Sequence, residues 1–181
     1  MELVAKFWLA RLKEGHSIVE AAFSSAWNKG LAAAALHATE RGEHHAVFQC
    51  SDEPDLLVIM VYHSDGGPDA DESRKELNSH FSEFLTHAEL FHFNIEVIQL
   101  ALDSENIAIL LSDSQPADVN SGDWSVSLSP AGLDKNHASE SSKETWAQIV
   151  ALEDTDRLSE AGSIKRFSKV LESHIASQSA E

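Results

Sequence analysis

The stretch at residues 3–12, LVAKFWLARL, is apolar on both of the alternations that a strand presents. Ala5, Phe7 and Leu9 fall on one side and Val4, Trp8, Ala10 and Leu12 on the other, so a strand here must be covered on both faces. A sheet with helices on one side and water on the other cannot satisfy it. Whatever the chain folds into needs a second layer against its first strand.

The segments that follow supply part of that cover. KEGHS turns, and Ser17 with Glu20 has the S-x-x-E spacing of a capping box. Val19, Phe23, Trp27, Gly30, Leu31 and Ala34 then recur at helical spacing, and ERGE at 40–43 ends the helix. HHAVFQC and DLLVIMVYHS are β-rich runs joined by SDEPD, a hairpin signal with proline and acids in the turn. DGGPDADES reads as a loop, residues 71–91 as a second helix, and FNIEVIQLAL as a fourth strand. The order predicted is β-α-β-β-α-β, an α+β fold of the ferredoxin-like kind, over residues 1–102.

Residues 103–181 form a C-terminal extension with weaker signals. NIAILLS, WSVSLS and TWAQIVAL read as strands, and DTDRLSEAGSIKRFSKVLESH as an amphipathic closing helix over 155–174. Polar linkers, DSQPADVNSGD and PAGLDKNHASESSKE, separate them. The extension reads either as a degenerate second ferredoxin-like half or as an arm that covers the sheet or reaches a partner subunit.

Composition narrows the partners. A net charge of −17 and the lack of any clustered Lys/Arg patch argue against nucleic acid and anionic membranes as ligands. No apolar run approaches the roughly 20 residues of a membrane-spanning helix, and the N-terminus reads as a strand rather than a leader, so a cytoplasmic location is expected. The single cysteine, Cys50, excludes an internal disulfide and cysteine-based metal clusters.

Over residues 3–102 the chain resembles the dimeric α+β barrel superfamily, in particular the antibiotic-biosynthesis-monooxygenase-like proteins. The resemblance is carried by the first strand ending in LKEG, by VFQCSDEPDLLVIMVYHSD, and by the His/Phe-rich segment leading to IEVIQL. FLTHAELFHF is similar to the His-bearing helix of the stress-responsive subgroup that includes polyketide cyclases, although the proline of its H-P-x-H pattern is missing. The resemblance implies two ferredoxin-like sheets packed face to face, a small hydrophobic substrate such as a polyketide, no metal and no organic cofactor.

Histidines then draw attention. Residues 80–93, HFSEFLTHAELFHF, hold three histidines and four phenylalanines. On a helical wheel Leu77, Phe81, Phe84, Leu85 and Ala88 form a buried stripe with His80, His87 and Phe91 along its edge. His80 and His87 would lie about 10 Å apart along such a helix, too far to share one metal ion, so no metal site is expected there. Because strand residues alternate, only one of Tyr62 and His63 can face the helices, and at most one of His44 and His45 faces a pocket. His37 sits near the end of the first helix.

With a pKa near 6.5, histidine can take and return a proton at neutral pH, typically contributing about 10² to 10⁴ in rate. The leading expectation is a cofactor-independent enzyme of secondary metabolism that cyclises, dehydrates or isomerises a hydrophobic small molecule. His87 serves as base, Tyr62 or His63 polarises a carbonyl, and His80 or His92 assists, in a pocket lined by Phe84, Phe91, Trp27 and Phe7. A cofactor-free monooxygenase of phenol or anthrone substrates is the alternative, and a non-catalytic binding or scaffolding protein is a third. A lone ferredoxin-like unit would expose Trp8 or Phe7 with Val58 and Met60 on one sheet face. A homodimer covering that face is favoured over closure by the tail within one chain.

Overall fold

The first strand is covered on both faces by the rest of its own chain. In the computed structural model, which describes residues 3–35, 43–64, 79–93, 95–112, 124–127, 145–152 and 162–175, β1 (Leu3–Leu12) pairs antiparallel with β3 (Leu56–Ser64) on one side and β4 (Leu85–Phe93) on the other. Adding β2 (Glu43–Cys50), β5 (Asn106–Ser112), β6 (Trp124–Ser127), β7 (Thr145–Ala151) and β8 (Ser163–Ile175) gives one eight-stranded sheet in the order β4-β1-β3-β2-β8-β5-β7-β6. All its pairings are antiparallel. The sheet curls until its end strands, β4 and β6, lie alongside each other.

The last four strands repeat the order of the first four: β8-β5-β7-β6 matches β4-β1-β3-β2 strand for strand in chain order. The joint between the two sets is β2 against β8, with His44 opposite His174, Ala46 opposite Glu172 and Val47 opposite Leu171. The α+β class with an antiparallel sheet is therefore as expected. The tail strands continue the sheet of the first half.

Alternation along the strands divides the core into two layers. On the inner face of the curl, Phe7, Leu9, Ala46, Phe48, Val58, Met60 and Phe91 from the first half meet Ile107, Ile109, Ala147, Ile149 and Phe167 from the second. The helix α2 (Ile95–Asp103) packs on this face against β7, β1, β3 and β2, burying Ile98, Ala101 and Leu102. The outer face of the first half, with Ala10, Val47, Leu57 and Ile59, packs with Ile18, Phe81 and Phe84 and with Phe23, Ala26 and Trp27 of α1 (Ala21–Ala35). At about 1.5–3 kcal/mol for each large apolar side chain fully buried, both layers contribute strongly to stability. The face bearing Phe7, Val58 and Met60 is thus covered within the chain and needs no second subunit for that purpose.

Three expected elements are corrected. Residues 85–93 form a strand where the sequence suggested a helix, and 95–103 form a helix where it suggested a strand. In the latter, burial falls on Ile98, Ala101 and Leu102 while Leu100 is exposed, so the helical period wins over alternation. In the former, a bulge between the Leu9–Glu89 and Ala10–His87 pairs breaks the alternation and hides the strand pattern. The expected closing helix at 155–174 is the strand β8 over its described part. Its Lys, Arg, Glu and Leu residues favour a helix locally, but pairing with both β2 and β5 overrides that preference.

The first helix begins at Ala21, after a turn in which Glu20 N donates to Ser17 O, and Val19 stays 87% exposed. The capping box is not completed, because the Glu20 carboxylate lies 2.9 Å from His16 Nδ1. The loop at 65–73, the start of the supposed second helix, His37, and the linkers 113–123 and 130–144 lie outside the described residues.

Candidate metal centre

The sheet separates the residues that the sequence nominated. His87 pairs with Ala10 and faces the outer layer, where Trp8 Nε1 donates to its Nδ1 at 2.9 Å. An indole N–H is a donor only, so that bond occupies the imidazole's basic nitrogen and places the proton of the neutral ring on Nε2. Trp27 and Phe84 lie in the same outer layer, Trp27 against Phe81 and His45, and Phe84 against Phe23 and His16. Phe7 and Phe91 lie on the opposite side of the sheet, edge to face at 5.5 Å. His80 is half-buried in a short helical turn just before β4. Tyr62 and His63 pair with Ala5 and Val4, and His92 with Lys6; only their backbone lies among the described features. The nominated set does not converge on one pocket, since two of its aromatics are across the sheet from His87.

A different constellation does converge, at the joint of the two halves. His44 and His45, as neighbours in a strand, point to opposite faces: His45 packs on Trp27, and His44 shares the inner face with Ala46. Because His44 and His174 are directly opposite in the β2–β8 ladder, their rings stack with centroids 3.9 Å apart. Glu172, two residues before His174 and therefore on the same face, reaches both. Its Oε1 lies 2.8 Å from His44 Nε2 and 3.8 Å from His174 Nε2. One nitrogen or oxygen from each of His44, Glu172 and His174 falls within 4.8 Å of the others, the only such trio of metal-ligating groups among the described residues.

The electrostatics of the trio suit a cation. Burial pushes the His44 pKa below its ordinary 6.5, partly offset by the Glu172 hydrogen bond, so its imidazole is neutral at pH 7 and available as a ligand. Burial opposes ionisation of Glu172, but hydrogen bonds from Lys169 and His44 outweigh it and hold the carboxyl below its usual range. His44 is 7% exposed and fixed, whereas His174 is 69% exposed and can turn towards an ion. Lys169 completes the surroundings, donating to Glu172 Oε1 at 3.1 Å and to Leu102 O, near the C-terminus of α2, at 2.6 Å.

Sequence reasoning missed Glu172 and His174 because it read their segment as a helix. The signal that could have found them is the Glu-x-His spacing itself, which puts both side chains on one face of a strand. The partner, His44, lies 128 residues from Glu172 and no local pattern announces the pairing.

No protein-family model matches the chain, and no curated protein matches it. Among solved structures it is similar to a candidate chlorite dismutase, with 12% identity, a TM-score of 0.49, and coverage of 94% of this chain and 95% of that one. It is also similar to a heme-binding protein from Thermus thermophilus, with 11% identity, a TM-score of 0.48, and coverage of 93% and 91%. Neither is an antibiotic-biosynthesis-monooxygenase-like or polyketide-cyclase-like protein, and the expected resemblance to that family is not borne out. The echo of the stress-responsive subgroup also fails physically, because FLTHAELFHF is a strand and not a His-bearing helix. The cofactor-independent cyclase and monooxygenase readings, which the resemblance implied, fall with it. Among the described residues no helix is long and apolar enough to cross a membrane.

Proposed function

We propose that this protein binds one divalent transition-metal ion through His44, Glu172 and His174, at a site that keeps a coordination position open. The observation that carries this reading is the convergence of two imidazoles and one carboxylate within 4.8 Å. Two histidines and a carboxylate are the protein ligands of catalytic zinc sites and of non-heme iron(II) centres, in which remaining positions go to water or substrate. Bound there, the ion would act as a Lewis acid towards an oxygen in the open position. The chain's own groups set the terms: His44 gives up its hydrogen bond to Glu172, and the net charge of −17 attracts cations towards the site.

The repeated strand order supports reading the chain as two ferredoxin-like units, about 1–102 and 103–181, with the β2–β8 joint as their boundary. His44 then comes from one unit and Glu172 and His174 from the other.

A histidine-ligated heme would need an imidazole facing a gap wide enough for a macrocycle. His44 and His174 stack on each other and turn to one carboxylate, while His45 and His87 pack against Trp27 and Trp8. Among the described side chains, that donor set favours a bare ion. Calorimetric titration with zinc is expected to give one site per chain, weakened more than about tenfold in His44→Ala and in Glu172→Gln. Equal affinity in wild type and His44→Ala would remove the proposal.

A further inference from the structure

The group that sets this site apart from a simple trio of ligands is Lys169. Its side chain is only 6% exposed, its ammonium lies 5.9 Å from the centroid of the Phe48 ring, and two of its hydrogens go to Leu102 O and Glu172 Oε1. The other carboxylate near it, Glu105, is 3.9 Å away but 80% exposed, so water screens it. With an ion in place, the charges gathered at the site would be the two units of the ion and the Lys169 ammonium, against the carboxylate of Glu172, which Lys169 touches. His44 and His174 contribute none, because a coordinated imidazole is neutral.

We propose that the open coordination position takes a small oxygen-donor anion of the carboxylate class, and that Lys169 sets this preference by its charge. The inference rests on the metal reading and deepens it. Glu172 alone leaves the occupied site with a surplus of positive charge, and an anion neutralises it where a neutral donor cannot. Lys169 touches a ligand of the ion rather than the ion itself, so it is a specificity-determining and positioning residue.

The test uses the full-length chain loaded with cobalt(II), followed by its visible absorption, and titrated with acetate and, separately, with the neutral donor imidazole. Both should perturb the bands in wild type. Lys169→Met should hold cobalt as tightly as wild type or tighter, lose acetate affinity by about fivefold or more, and keep imidazole affinity within about twofold. Lys169→Arg should restore acetate binding. Lys169→Gln, which removes the charge and keeps a donor towards Leu102 O, should lose acetate affinity in the same way and serves should Lys169→Met not fold. Equal loss of acetate and imidazole in Lys169→Met, or undiminished acetate affinity in Lys169→Gln, overturns the proposal. Cobalt binding without any acetate response overturns it while the metal reading stands, whereas failure of wild type to bind cobalt removes both.

Discussion

Replacing Gly162 by alanine distinguishes the strand seen for residues 163–175 from a helix by the sign of the effect. Gly162 has a φ of +144°, a conformation that side chains rarely adopt, and it leads directly into β8. A Cβ there would sit 2.6 Å from Leu111 O and 2.7 Å from Leu110 Cδ1. Leu111 is the register partner of Ser163, so its carbonyl cannot yield without disturbing the start of the β5–β8 ladder, and Leu110 is fully buried. Backbone strain of about 1–3 kcal/mol and overpacking of about 1–3 kcal/mol together predict a loss of about 2–5 kcal/mol. For a chain of this size that lowers Tm by roughly 5–20 °C. Were the segment helical, the same substitution would stabilise by up to about 1 kcal/mol. Gly15→Ala is the control: φ is +84° there but no atom lies within 4 Å of the added carbon, so only the strain, about 1 kcal/mol, should appear. Thermal unfolding followed by circular dichroism reads both, and an unchanged or raised Tm for Gly162→Ala would refute the reasoning.

Other expectations follow from the same contacts. Leu102→Ala, at a fully buried position of α2, should cost about 2–5 kcal/mol in urea unfolding, whereas Leu100→Ala on the exposed side should cost well under 1 kcal/mol. His44 has a folded-state pKa below 6.5, so between that value and 6.5 the unfolded chain binds more protons than the folded one and metal-free stability must fall as the pH drops through this window. Glu172, lowered from 4.5, adds a second loss as the pH falls below 4.5. A series of Tm values against pH should lose its upper limb in His44→Ala and keep its lower one. Trp8→Phe removes the donor at His87 Nδ1, which should cost about 1 kcal/mol and shift the His87 ring nitrogen resonances in NMR.

The elements with strong local signals were legible. The doubly apolar run at 3–12 is a strand between two others, the SDEPD turn joins β2 and β3, and NIAILLS, WSVS and TWAQIVA form β5, β6 and β7. Segments that failed are those whose neighbours along the chain say one thing and whose partners in space another. Residues 85–93 carry a bulge, 95–103 are short and almost wholly apolar, and β8 is rich in helix formers yet lies between two strands. The site was hidden for the same reason. Alternation alone allowed one of His44 and His45 to face inward, but the choice between them, and the arrival of Glu172 and His174, depend on how β8 registers against β2.

The most direct measurement is anomalous diffraction from crystals of the full chain equilibrated with zinc or iron(II). The account predicts a single anomalous peak bounded by the Nε2 atoms of His44 and His174 and the carboxylate of Glu172, with ligand distances of about 2.0–2.2 Å. A peak elsewhere, an iron peak at the centre of a macrocycle, or no peak at these three residues would contradict it.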